Sequence, residues 1–136
     1  MTLKLNGTNS VAAPAYAGDD ADTGLQCGTN ELKLVTGGTA RATIDDSGRL
    51  MLGTTTEGEH TADDLTVATS GDTGISIRSG TSSSGKLFFS DGTSSADEYR
   101  GFIQYSHSNN AMSFGTDSTE RMRILSGGGL TFNGDT

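Results

Sequence analysis

The sequence contains no tryptophan, one proline and one cysteine, and only 6% of its residues are aromatic. A lone Cys27 excludes an intrachain disulfide, so no covalent staple supports the fold, and an idle thiol is the plain reading of it. Basic residues are few as well: 9 Lys and Arg face 17 Asp and Glu, giving a net charge of −8. That balance repels phosphate backbones and offers no basic stripe, so nucleic acid is not an expected partner. No apolar run approaches the ~20 residues that cross a bilayer, and the opening MTLKLNGTNSVAAPAY lacks the apolar stretch of a secretory signal. Assembly in a cytoplasm, without membrane insertion, is the expectation.

Large apolar residues are scarce too. Leu, Ile, Val and Phe together number 24 of 136 residues, below the roughly one-fifth at which a charged chain begins to resemble disordered ones. Disorder, however, comes with abundant Pro, Glu or Lys, whereas this chain is 19% charged and is filled out by Gly, Ser and Thr. Its apolar residues are also regularly spaced. A chain with too little core of its own but regular apolar spacing is stabilised by sharing a core between copies, which predicts an obligate oligomer.

The spacing repeats. GTARATIDDSGRLML, residues 38–52, matches STERMRILSGGGLTF, residues 118–132, without a gap at an offset of 80. Thr39, Arg41, Ile44, Gly48 and Leu50 fall on Thr119, Arg121, Ile124, Gly128 and Leu130. Upstream, Asn30 and Thr36 fall on Asn110 and Thr116, and Leu32 and Leu34 on Met112 and Phe114. Around these copies run short segments in which every second residue is apolar: ELKLV, ARATI, RLML, LTVA, GISIR, KLFF, RGFIQYS, AMSFG, RMRI and GLTF. A period of two marks half-buried strands, and TGG, DSG, SGD, SDG and SGGG between them supply tight turns. Only SSADEY suggests a short helical turn. The chain is therefore expected to be all-β, built of short hairpin modules that need neighbours to cover their edges. In RMRI the inward residues are expected to be Met122 and Ile124, and in ARATI Ala40, Ala42 and Ile44. Four segments follow: an arm at 1–23 with no clear period, a first β module at 24–58, a linker with a middle module at 59–98, and a third module at 99–136 that repeats the first.

Motifs that bear chemistry fail on inspection. GTSSSGKL, residues 80–87, fits a phosphate loop for seven positions, but Leu87 stands where Ser or Thr would hold magnesium, and the next residues alternate instead of opening a helix. Asp19, Asp20 and Asp22 lack the spacing of a calcium loop, since Gly24 falls where a ligand belongs. His60 and His107 sit in turns with no nucleophile elbow to pair with. Asp91, Asp97 and Glu98 are the carboxylates from which a glycan-cleaving pair would be drawn, but the missing Trp and few aromatics weaken a sugar cleft. No catalytic residue, cofactor or metal is assigned. Arg121 and Arg123 are expected to pair with Asp117, Glu120 or acids of a neighbouring chain, since Arg suits bidentate interface pairs. Arg41, which matches Arg121, takes the same role, and all three are assigned to inter-chain ion pairs.

YRGFIQYSHSNNAMSFGTDSTERMRILSGGGLTF, residues 99–132, resembles a module common in bacteriophage tail fibres, and LTVATSGDTGISIRSGTSSSGKLFFSDGTSSADEYRG is similar to the segment that precedes it there. ARATIDDSGRLMLGTTTEG resembles a second copy of that family's terminal hairpin, and LKLNGTNSVAAPAYAGDDADTGL its N-terminal arms. The resemblance implies a structural virion protein: an intertwined homotrimeric β shaft with modules repeated along a threefold axis. It implies that residues 1–23 anchor the shaft to phage tail or capsid proteins and that a distal region meets a host surface glycan or protein. On this reading Leu32, Leu34, Ile44, Leu50 and Leu52 form one axial layer, and Met112, Phe114, Met122, Ile124, Leu130 and Phe132 another. The alternatives are a capsid fibre or decoration protein made of similar modules, and a tailspike that degrades surface polysaccharide.

Overall fold

Alternation of apolar and small polar residues with turn residues between them produces twelve short strands in a computed structural model, which describes residues 4–5, 16–17 and 19–132. The chain is all-β. A 3-10 helix at Ser95–Tyr99, where SSADEY suggested a turn, is the one helical element among the described residues. Two compact units divide the chain, residues 1–74 and 75–136. The module expected at 24–58 lies in the first and that at 99–136 in the second, while the middle segment at 59–98 is shared between them.

The first unit carries a seven-stranded sheet in sequence order: β1 (Lys4–Leu5), β2 (Tyr16–Ala17), β3 (Gly24–Cys27), β4 (Leu32–Thr36), β5 (Thr39–Ile44), β6 (Leu50–Leu52) and β7 (Leu65–Val67). All neighbours are antiparallel except β6 and β7, which run parallel after the crossover at 53–64. The arm expected at 1–23 is thus partly built into the sheet, because β2 pairs with β3 through Tyr16 opposite Leu25. Of residues 1–23, expected to anchor the shaft, all of the first 18 but 4–5 and 16–17 lie outside the described residues, as do 133–136.

The second unit carries a five-stranded antiparallel sheet, ordered β12 (Leu130–Phe132), β11 (Thr119–Ile124), β10 (Ala111–Thr116), β9 (Gly101–Ser106) and β8 (Ser84–Phe89). GISIR, expected as a strand, pairs with nothing among the described residues: residues 72–80 have neither strand nor turn. Residues 80–83, the apparent phosphate loop, make a simple turn closed by the Ser83 N–H donating to the Gly80 carbonyl, and β8 follows.

The offset of 80 is visible in backbone detail. Gly37 and Gly38 occupy positive φ at the β4–β5 turn, and Asp117 and Ser118 do so at the β10–β11 turn. Two successive positive φ values give a turn whose twist matches that of the flanking strands. A one-residue bulge interrupts each pair at the same place, between Leu34 and Val35 and between Phe114 and Gly115. The extra residue is Arg41 in one and Arg121 in the other, and each Nε donates to a threonine hydroxyl across the hairpin, Thr36 at 2.9 Å and Thr116 at 3.2 Å. This bulge corrects the inward set expected for ARATI. Leu34 faces Ala42 but Val35 faces Ala40, so Ala40 lies on the opposite face from Ala42 and Ile44.

Candidate assembly interface

Residues directly opposite each other in a sheet project to the same face. In the first sheet one cross-strand row runs Leu25, Leu34, Ala42, Leu52, Val67 and the next Cys27, Leu32, Ile44, Leu50, Leu65. Every member is uncharged. The other face carries Gln26, Lys33, Thr43, Met51 and Thr66.

The burial of these two faces is the reverse of what their polarity suggests. Gln26, Thr43 and Met51 are buried, whereas Leu34, Ile44 and Leu65 are 51%, 43% and 52% exposed. The crossover at 53–64 is tied to this face at its β6–β7 end. Arg49, two residues before Met51 and so on its face, reaches Asp45 at 2.7 Å and Asp63 at 3.0 Å, and the Gly58 N–H donates to the Thr66 hydroxyl. These bonds hold the polar loop over the polar face. Asp45 also accepts the Arg49 backbone N–H, the chief reason its carboxyl is held below the ordinary value of 3.8. The arrangement has a cost: Gln26 Oε1 and Thr43 Oγ1 are buried with no hydrogen-bond partner among the described residues.

The second sheet repeats the pattern. Its rows are Leu87, Ile103, Phe114, Met122, Phe132 and Gly85, Tyr105, Met112, Ile124, Leu130, again without a charge. Phe89 extends this face at one edge and is 58% exposed, while Leu130 and Phe132 at the other edge are 57% and 53% exposed. Ile75 and Ile77 stand beside it, Ile77 over Gly85, and with Leu87, Ile103, Tyr105 and Met112 they line a groove of about 380 Å³.

The opposite face of the second sheet holds Lys86, Phe88, Phe102, Gln104, Ser113, Gly115, Glu120 and Arg123. The Phe102 ring covers Gly115 so closely that a β-carbon there would lie 2.0 Å from it. Arg123 donates to both oxygens of Glu120, at 2.8 and 2.7 Å. That fork, with help from Ser113, holds the Glu120 carboxyl below its ordinary 4.5. Glu120, one of the partners expected for Arg123, thus meets it within the chain, three residues away. Arg41 and Arg121 are exposed at the bulges, and among the described residues no carboxylate lies within ion-pair distance of either.

All eleven residues assigned to the axial layers thus lie on these two apolar faces, five on the first and six on the second. The alternation placed them but missed their companions. Leu25, Cys27, Leu65 and Val67 join the first face, and Leu87, Ile103 and Tyr105 the second, through strand pairings that no offset of 80 reveals. Two of the carboxylates weighed as a glycan-cleaving pair, Asp91 and Asp97, meet an arginine. Asp91, Asp97 and Asp117 converge on Arg100 at 3.4, 2.6 and 2.9 Å, and with the Ser118 hydroxyl on the Ala96 carbonyl they tie the 3-10 helix to the β10–β11 turn. His60 is exposed beside Glu59. Among the described residues no three His, Cys, Asp or Glu side chains converge on a point where a metal ion would sit, and no helix is long and apolar enough to cross a membrane. No protein-family model, curated protein or solved structure matches the chain.

Proposed function

We propose that this chain is a structural component of a phage virion, a fibre protein whose copies assemble as a homotrimer around their apolar sheet faces. The observation that carries the reading is the pair of uncharged faces left open by single chains that otherwise bear a net charge of −8. A soluble monomer rarely exposes so continuous an apolar surface. Burying the exposed half of a Leu, Ile or Phe contributes on the order of 1 kcal/mol, and six such residues on two faces, repeated in each chain, reach the scale of a domain's whole stability. The resemblance of residues 99–132 to a tail-fibre module supplies the threefold symmetry and the virion setting. On this reading the arm at 1–23 attaches the shaft to the particle, and the protein's work is mechanical.

Light scattering of the purified chain at two well-separated concentrations tests the reading. The expected mass is three times 14.0 kDa at both. A monomer of 14.0 kDa with a cooperative melt overturns it.

A further inference from the structure

The two sheets differ at one edge. In the first, the outer side of β6 is taken by β7, with Leu50, Met51 and Leu52 opposite Leu65, Thr66 and Val67. The counterpart of β6 in the second sheet is β12, since Leu130 and Phe132 stand 80 residues beyond Leu50 and Leu52. Nothing among the described residues pairs with its outer side. An open strand edge flanked by exposed Leu130 and Phe132 presents unmet backbone donors and acceptors beside apolar surface, a template for a further strand.

The same unit holds a segment of the matching kind. Ile75, Ser76 and Ile77 alternate as Leu65, Thr66 and Val67 do, yet they join no sheet. Among the described residues the backbone of 75–79 makes no hydrogen bond, and Ile75 and Ile77 are 70% and 55% exposed. The segment is exposed, so its backbone groups are free to enter a ladder, and the two exposed isoleucines gain from being covered when they do.

We infer that residues 75–77 of one copy add as a strand to the outer edge of β12 in a second copy. This rests on the homotrimer proposed above and adds its interlock. Ile77 lies against β8, and β8 and β12 are opposite edges of one sheet. Each copy donates through 75–77 and receives at β12, a head-to-tail contact that closes when rotation returns to the first copy. Three donations cover the β12 edge of each of three sheets. Neither the donated residues nor β12 carries a charge, so the contact brings no like-charge repulsion between acidic chains.

Whichever way the donated strand runs, the central residues of the two three-residue segments, Ser76 and Thr131, face each other. The test is therefore a Ser76→Cys, Thr131→Cys double variant in a Cys27→Ala background, oxidised and run on a denaturing gel without reductant, with light scattering alongside. The expected result is a covalent band at three times the chain mass that collapses to one chain on reduction and is absent from either single-cysteine variant. A trimer in solution that gives no inter-chain disulfide, or gives only one within a chain, overturns the strand addition and leaves the trimer standing. A monomer in solution overturns both.

Discussion

Gly24 faces Val35 in the first sheet, and Phe102 faces Gly115 in the second. The large residue has moved to the other strand of the pair. Val35 is 2% exposed, while in the second sheet the Phe102 ring fills the place that a side chain on residue 115 would take. What the repeat keeps is one apolar side chain opposite a glycine beside the bulge, not the strand that carries it. The turns show the same freedom. Gly37 and Gly38 meet the need for positive φ with no side chain, whereas Asp117 and Ser118 accept that conformation and use their side chains to hold Arg100 and the 3-10 helix.

The comparison is broken most completely by a charge on a face the two sheets share in character. Phe114→Asp and Leu34→Asp each place three carboxylates together in the proposed trimer, a penalty of several kcal/mol per buried charge. Both are expected to reduce the solution mass to one chain, and a full-mass trimer with unchanged melting removes that residue from the interface. Next in size is Gly115→Val, which drives a side chain into the Phe102 ring and costs about 3 kcal/mol by chemical denaturation. Adding Phe102→Gly rebuilds the Gly24–Val35 arrangement and recovers most of that loss, while additive losses in the double variant disprove the exchange of volumes.

Smaller effects distinguish the polar faces. Thr43→Val removes a buried hydroxyl with no partner among the described residues and keeps its shape, so the chain gains about 1 kcal/mol. An unchanged or lower denaturation midpoint means that the hydroxyl is satisfied after all. The smallest effect is acid sensitivity. Asp45 and Glu120 are both depressed in the folded chain below their ordinary 3.8 and 4.5, so each contributes stability that is complete above those values and lost as pH falls through the lowered ones. Melting temperature is expected to be flat near neutrality and to fall below about pH 4. Glu120→Gln should flatten that acid limb in the second unit alone, and an undiminished fall in the variant assigns the sensitivity elsewhere. Because both pairs are partly solvated, the change is small.

Much of this was readable before any coordinates. ELKLV, RLML, AMSFG and RMRI announce strands through a period of two, and Gly48 and Gly128 mark equivalent turns 80 residues apart. Thr36 with Arg41 and Thr116 with Arg121 recur at one spacing, and that spacing proves to be a side-chain bond across each hairpin. Ala40 was placed on the wrong face because a bulge is a property of two strands, and one strand's alternation does not contain it. GISIR has the pattern of a strand but no partner among the described residues, since pattern sets which residues a strand presents and not what pairs with it.

By itself the sequence determined the class of structure, the existence of a repeated hairpin and the eleven apolar residues that share two faces, because period, turn chemistry and offset are local or copied quantities. Which face a loop covers, that Arg123 turns to Glu120, that Asp91 and Asp97 serve Arg100, and that Phe102 stands in for a missing side chain at Gly115 were decided only in three dimensions. Each of these depends on residues brought together by register and crossover, and a bond across strands is fixed by where both ends arrive.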